Sequence, residues 1–394
     1  MFFIIGFLWR LFLASIPQYR VFWDMAAYNE LAHAILRGEW AAHCCNHGAG
    51  YPLFLSLIYS IFGMDNFFAV RLIQVLLDLV SGLLIAACAK NLFGAKVSRI
   101  AFILYMLNPF TSAYTGLLLG ETLLVFVVSL IAYLLVSRPA WWHWLLFGAL
   151  FGYLIQIKIA YVFFIPIVAL VTIGLRPKRL VLAFLGFFIV SLYALFANYA
   201  VFQKVSVIPP YRTAGGMLYA SFSVGRYPEL VSDFSTLSDE WRNATDEYYR
   251  YVDTKPELMH EYDQKYTEKF KERMKGEWPI FIQNTIQNII YLWDKRFLLL
   301  FIDPFYPKDT QFLRIINISL IALFIIGIAR FARKPIVVFS LIYFTALSLV
   351  FGLVISESRL TIPAYPIIIL WAAYGLERFH RYARFFPKKT VSSE

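Results

Sequence analysis

The sequence predicts an all-α, polytopic membrane protein of about ten transmembrane helices, each near the ~20 residues that cross a bilayer. Three observations predict it. Of 394 residues, 60% are hydrophobic and the mean hydropathy is +0.63, whereas soluble domains lie nearer 45–50% apolar. Charged residues make up only 15% and are segregated from the apolar runs. The short segments between those runs alternate between strongly basic and nearly uncharged. The net charge of +11 therefore reports orientation in a membrane, not nucleic-acid binding.

In chain order, the apolar runs predict helices near 1–16, 66–89, 99–116, 118–137, 143–159, 160–175, 180–203, 312–330, 335–355 and 360–379. Met1 to Ser15 has no basic start and no small-residue cleavage site, so it is read as a short first span, not a signal peptide. Residues 143–175 divide into two helices only through a tight turn around Lys158 and Ala160.

The positive-inside rule sets the parity. With the N-terminus inside, the inner segments hold Lys90, Lys96 and Arg99, then Arg138, then Arg176, Lys178 and Arg179, then Arg330, Arg333 and Lys334. The tail adds Arg378, Arg381, Arg384, Lys388 and Lys389. Residues 17–65 and 204–311, with the turns near 116, 159 and 357, then face outward. The chain divides into an N-terminal membrane module (1–203) with its outer loop 17–65, an external helical segment (204–311), and C-terminal membrane helices with a basic tail (312–394).

Residues 17–65 are too polar to span. Asp24 to Gly38 reads as an amphipathic helix, and Tyr51 to Phe62 as an aromatic helix lying in the interface. Glu229 to Glu277 alternates charge at helical spacing, as solvated helices do, and Trp278 to Phe305 turns aromatic again. Cys44, Cys45 and Cys88 imply no disulfide framework.

On this topology Asp24, Glu121 and the pair Glu357/Arg359 fall at one face of the membrane. Asp24 opens the first outer helix. It suits a helix cap, and beside aromatic rings it equally suits a carboxylate of tuned basicity. Glu121 lies a turn into its helix after Gly116 and Gly120, where an ionisable group is costly unless it faces a polar cavity. The Arg359 guanidinium matches phosphate oxygens in geometry, or else pairs with Glu357. Lys158, Lys204, Arg212 and Arg226 are further outward cations. Arg71 and Asp78 share a helix face, and Asp78, near mid-membrane, is expected to be paired inside the bundle. His33 and His43-Cys44-Cys45-Asn46-His47 are metal-ligand types without standard zinc spacing, so the sequence neither requires nor excludes a divalent metal.

Four stretches carry a family likeness: Asp24-x-x-x-Tyr28 with Ala32 and Gly38; Gly50-Tyr51-Pro52-Leu53-Phe54 followed by Phe62-Gly63 and Val70-Arg71-Leu72; Asn108-Pro109 with Gly116 and Glu121-Thr122; and Glu357-Ser358-Arg359-Leu360 leading to Pro363 and Pro366. In this order they resemble the C-type (GT-C) integral-membrane glycosyltransferases, particularly the branch of bacterial protein O-mannosyltransferases and lipid A aminoarabinose transferases. Two departures stand out: Met25 where many relatives carry a second acid, and Leu360 where many carry tyrosine.

The resemblance implies a GT-C fold and transfer of a hexose or pentose from a polyprenyl-phosphate donor to a lipid, glycan or protein acceptor, in cell-envelope glycan synthesis. It implies Asp24 as catalytic base with Glu121 assisting, Arg359, Lys158 and Arg212 on the donor phosphate, and Tyr28, Tyr51 and Glu357 positioning substrate. The setting would be a bacterial or archaeal cytoplasmic membrane, with the site on its outer face and residues 204–311 capping it. The rival readings are a transporter or flippase of lipid-linked sugars, for which mid-membrane Asp78 speaks, and an O-antigen polymerase- or ligase-like protein.

Overall fold

The structure, a computed structural model, describes residues 1–15, 21, 24–40, 47–137, 140–165, 177–210, 214–222, 243, 246–248, 250, 258–295, 311–329, 335–353 and 358–385. Among these residues the secondary structure is helical throughout. The N-terminal helices are α1 (Phe2–Ser15), α2 (Asp24–Leu36), α3 (Gly50–Phe62), α4 (Phe67–Phe93), α5 (Ala95–Met106), α6 (Pro109–Ala113), α7 (Glu121–Val136), α8 (Trp141–Ile157) and α9 (Pro177–Phe202). The external segment supplies α10 (Ala214–Ala220) and α11 (Met259–Trp293), and the C-terminal part α12 (Gln311–Ile328), α13 (Pro335–Gly352) and α14 (Tyr365–Phe385). Three 3₁₀ turns, Tyr114–Gly116, Ile159–Phe164 and Ser358–Ala364, interrupt this series.

Among the described residues, four helical stretches are long and apolar enough to cross a membrane: Phe67–Phe93, Pro177–Phe202, Gln311–Ile328 and Arg359–Arg381. Shorter apolar helices, among them Phe2–Ser15 and Glu121–Val136, pack with them. Large apolar side chains stand exposed on the outer helices, such as Leu8 and Phe12 on α1, Phe184 and Phe188 on α9, and Ile315 and Ile325 on α12. Only a hydrocarbon surround tolerates that much exposed apolar surface on every side. The chain is an integral membrane protein.

α14 is the central pillar. Its run from Ile367 to Ala373 is buried on all sides, against α4, α5, α7 and α12. Lipid tails give helices no hydrophobic reason to associate, so close packing and interhelical hydrogen bonds must hold them. Trp371 Nε1 donates to Ser340 Oγ at 2.8 Å, and Trp293 Nε1 to Ser348 Oγ at 2.9 Å. Bonds of this kind contribute on the order of 0.6 kcal/mol each in a membrane. Between α8 and α9 the backbones touch, because Gly148 faces Ala183 and Gly186 faces Leu145 with no room for a Cβ on either glycine.

Three differences from the sequence reading have local causes. The helix expected over 99–116 breaks into α5, α6 and a 3₁₀ turn. Pro109 disfavours helical geometry at Asn108, whose extended backbone lets its side chain cap Phe110 N at 2.7 Å. The segment expected to be helical over 160–175 opens as a 3₁₀ turn after Lys158, and residues 166–176 lie outside the described set. The change of character at Trp278 falls inside one helix, α11, which kinks at Glu277 ahead of Pro279. Most of 223–257 also lies outside the described residues.

Asp78 is paired inside the bundle, but with Arg10 rather than its helix neighbour Arg71. Arg10 Nε meets Asp78 Oδ2 at 2.6 Å and Tyr105 OH donates to Asp78 Oδ1 at 2.7 Å, with Arg10 and Asp78 both fully buried. The guanidinium also donates to the carbonyls of Gly6, Tyr105 and Met106. Arg71 instead reaches the Ala14 carbonyl at 3.5 Å.

Candidate active site

Four elements deliver one charge each to a common place. α2 begins with Asp24, α7 begins with Glu121, Lys158 follows the last residue of α8, and Arg359 sits in the 3₁₀ turn ahead of α14. Each lies at an element end, which is how an apolar bundle can present charge at its surface without placing it mid-helix.

Arg359 is the hub. Its Nη2 donates to Asp24 Oδ2 at 2.7 Å, and its Nε lies 3.9 Å from Glu121 Oε1. Lys158 Nζ approaches the same Glu121 oxygen at 3.5 Å. The other Asp24 oxygen, Oδ1, is 3.1 Å from His47 Nε2. A carboxylate accepts only, so that ring nitrogen carries the proton. The Asp24 and Lys158 side chains are 34% and 24% exposed, against 4% for Glu121, so the cluster opens on one side.

Burial pushes the Asp24 carboxyl up, but Arg359 and then His47 outweigh it and hold the group well below the ordinary value of 3.8. Asp24 is therefore a stable carboxylate here. Glu121 gains from the free N–H groups at its own helix N-terminus, which favour negative charge.

The chain is shaped to bring His47 in. Gly48 and Gly50 lie directly on the backbone of Gln156 and Ile157, where a Cβ on either would collide. The loop can thus press against the end of α8, setting His47 beside the place where Lys158 leaves the helix. Tyr28 packs edge-on against His47 (5.0 Å between centroids) and against Tyr51 (5.1 Å). Tyr51 is fully buried, and its hydroxyl donates to Gln74 Oε1 at 2.8 Å. Tyr28 and Tyr51 therefore form the wall behind His47.

Of the residues the sequence singled out, the structure brings together Asp24, Glu121, Lys158 and Arg359, with Tyr28 and Tyr51 behind them. Arg212 and Glu357 lie outside the described residues, as do His43 to Asn46. Among the described residues no group of three His, Cys, Asp or Glu side chains is arranged to hold a metal ion. The sequence reading missed two residues. His47 entered it only as a metal-ligand type; its usable signal was the Gly-x-Gly spacing that follows it. Gln74 gave no signal beyond being a polar residue in a transmembrane run.

Residues 46–201 match the family model of dolichyl-phosphate-mannose-protein mannosyltransferases, a stretch that holds His47, Tyr51, Gln74, Glu121 and Lys158. That match covers 156 of the 394 residues. The chain is similar to the archaeal oligosaccharyltransferase AglB from Archaeoglobus fulgidus, solved with an inhibitory peptide and a dolichol-phosphate. The identity is 12% and the TM-score 0.46, over 97% of this chain and 51% of that one, so this chain spans about half of that protein. It is also similar to ArnT from Cupriavidus metallidurans bound to undecaprenyl phosphate, at 13% identity and a TM-score of 0.40, over 97% of this chain and 77% of that one. No curated protein matches the chain.

Proposed function

We propose that this protein moves a sugar from a polyprenyl-phosphate donor to a hydroxyl of a lipid, glycan or protein acceptor on the non-cytoplasmic face of its membrane. Asp24 is the general base and the polyprenyl phosphate is the leaving group. The observation that carries the reading is the joint Asp24–Arg359–Glu121–Lys158 cluster, open on one side.

The chemistry explains why these types are needed together. The acceptor oxygen forms a bond to the sugar's anomeric carbon, and the bond from that carbon to the phosphate oxygen breaks. The electron pair leaves with the phosphate, whose second pKa near 6 spares it a proton. The acceptor's proton goes to Asp24. A glycosidase expelling an alkoxide would need a protonated acid as well. One base and two cations suit a phosphate leaving group. A single displacement inverts the anomeric centre.

Arg359 and Lys158 are the phosphate ligands. Both lean on carboxylates, and an arriving phosphate competes for them. When the guanidinium turns to the phosphate, Asp24 loses its strongest partner and becomes a better base while the donor is in place. Glu121 stays to hold the two cations and to orient the acceptor.

The orientation is supported by the far end of the bundle. Lys96 and Arg381 converge on Glu377 there, about 20 Å along α14 from its start at ~1.5 Å per residue. These basic residues belong to the segments that charge bias assigns to the inside. Asp78, the residue that spoke for transport, is fully buried and bound by Arg10 and Tyr105.

The test is label transfer in lipid nanodiscs from a panel of radiolabelled polyprenyl-phosphate sugars to a membrane extract. Wild type is expected to transfer from at least one donor. Transfer from none, with donor crossing the bilayer instead, would favour a flippase.

A further inference from the structure

Gln74 lies on α4, is fully buried and takes no part in the chemistry above. Its amide nitrogen donates twice, to Thr115 O at 2.9 Å and to Leu117 O at 2.8 Å. Its oxygen accepts the Tyr51 hydroxyl at 2.8 Å. Both N–H groups and the carbonyl of the amide are thus used.

The two carbonyls belong to the non-α stretch that runs from Tyr114 to Gly120 and delivers Glu121. Leu117, Leu118 and Leu119 in that stretch are all buried. Irregular backbone inside an apolar bundle persists only where its polar groups find partners. On the other side of the amide, Tyr51 abuts Tyr28, Tyr28 abuts His47, and His47 holds Asp24. One neutral side chain therefore touches the support of both carboxylates.

We infer that Gln74 is a positioning residue that sets the separation between the Asp24 arm and the Glu121 arm of the site. The inference rests on the transferase reading, because that reading makes the separation matter. Only an amide serves here: glutamate would accept from Tyr51 but could not donate to the carbonyls, and leucine would do neither.

The experiment uses the full chain in nanodiscs. It measures kcat and donor KM for the donor that wild type uses, melting temperature, and amide hydrogen exchange of the segments 47–51 and 114–121. Gln74→Leu is expected to lower kcat about 100-fold, the scale of a ~1 Å misplacement, with donor KM within about threefold. Tyr51→Phe, which removes one hydroxyl and leaves the Gln74 oxygen without its donor, is expected to lower kcat about 10-fold with only a modest fall in melting temperature. In a Glu121→Gln background, adding Gln74→Leu is expected to cost much less than it does in wild type, since one arm is already disabled. Exchange is expected to rise in both segments together.

A Gln74→Leu kcat within about twofold of wild type would overturn the inference, as would fully multiplicative losses in the double variant. If Gln74→Leu does not fold, Tyr51→Phe decides: a fall in kcat supports positioning and an unchanged kcat overturns it. If wild type transfers from no donor, the transferase reading fails by itself. Exchange then decides about Gln74, with a joint rise in the two segments supporting it and a rise in one or neither overturning it.

Discussion

Two of the charge clusters among the described residues of this apolar bundle are built in opposite ways. Arg10 and Asp78 are fully buried, 2.6 Å apart, and tied to Tyr105 and three backbone carbonyls. Asp24, Glu121, Lys158 and Arg359 are partly open, with one short contact of 2.7 Å and two long ones of 3.5 and 3.9 Å. The first cluster resembles a finished weld across α1, α4 and α5. The second is partly exposed and has a side open to a ligand. Charge in a membrane protein is therefore not by itself a sign of chemistry. What separates the two cases is whether the charges are sealed in the bundle or can be reached by a ligand.

The comparison can be broken in four ways. Asp24→Asn should have the largest effect, a fall in transfer of at least about 10³-fold per folded molecule, as expected for loss of a general base. Asp78→Leu should act on stability instead. It leaves Arg10 buried without its partner, a change that costs about 3–5 kcal/mol. Adding Arg10→Met should recover most of that loss, and the double variant should turn over normally per folded molecule. An Asp78→Leu protein that is folded but inactive would erase the distinction between the two clusters.

Lys158→Gln comes next. Losing one charged contact to the phosphate should raise donor KM about 10-fold, with a smaller change in kcat.

The smallest effect is on pH. The Asp24 carboxyl is held below its ordinary value of 3.8, so it is ionised at all pH values above that. A depressed carboxyl adds stability that is fully present above the unfolded value and is lost as pH falls below it toward the folded one. The acid limb of kcat/KM should therefore lie below about pH 4 in wild type. His47→Gln removes one of the two groups holding the carboxyl down. That limb should move to higher pH, though not to the ordinary value, since Arg359 remains. A fall, or an unchanged profile, would show that His47 does not act on Asp24.

The charged members of the site were legible because charge at the end of an apolar run is expensive and so stands out in the sequence. Asp24, Glu121, Lys158 and Arg359 are all of this kind. Neutral polar groups carry no such signal, and His47 and Gln74 were missed for that reason. That Asp78 is paired inside the bundle was legible, but its partner was not, because helical periodicity sees neighbours on one helix, such as Arg71, and not residues across the bundle. Arg10, the only charged residue in the first apolar run, was the available clue. Asn108-Pro109 stood out as part of the family likeness, but the helix break it makes was not read from it. That the chain would stay buried through Gly120 was not legible either, because it depends on a hydrogen-bond donor from another helix, Gln74.

The measurement closest to the central claim is the affinity of sugar-free polyprenyl phosphate for wild type, Asp24→Asn and Arg359→Gln in nanodiscs. If Asp24 is the base and Arg359 the phosphate ligand, the two variants must separate. Arg359→Gln should bind about 10-fold more weakly. Asp24→Asn should bind at least as tightly as wild type, because the carboxylate that competes for Arg359 is gone, yet it should transfer no sugar. If Asp24→Asn weakened binding as much as Arg359→Gln does, Asp24 would belong to the phosphate site and the assignment of the base would be contradicted.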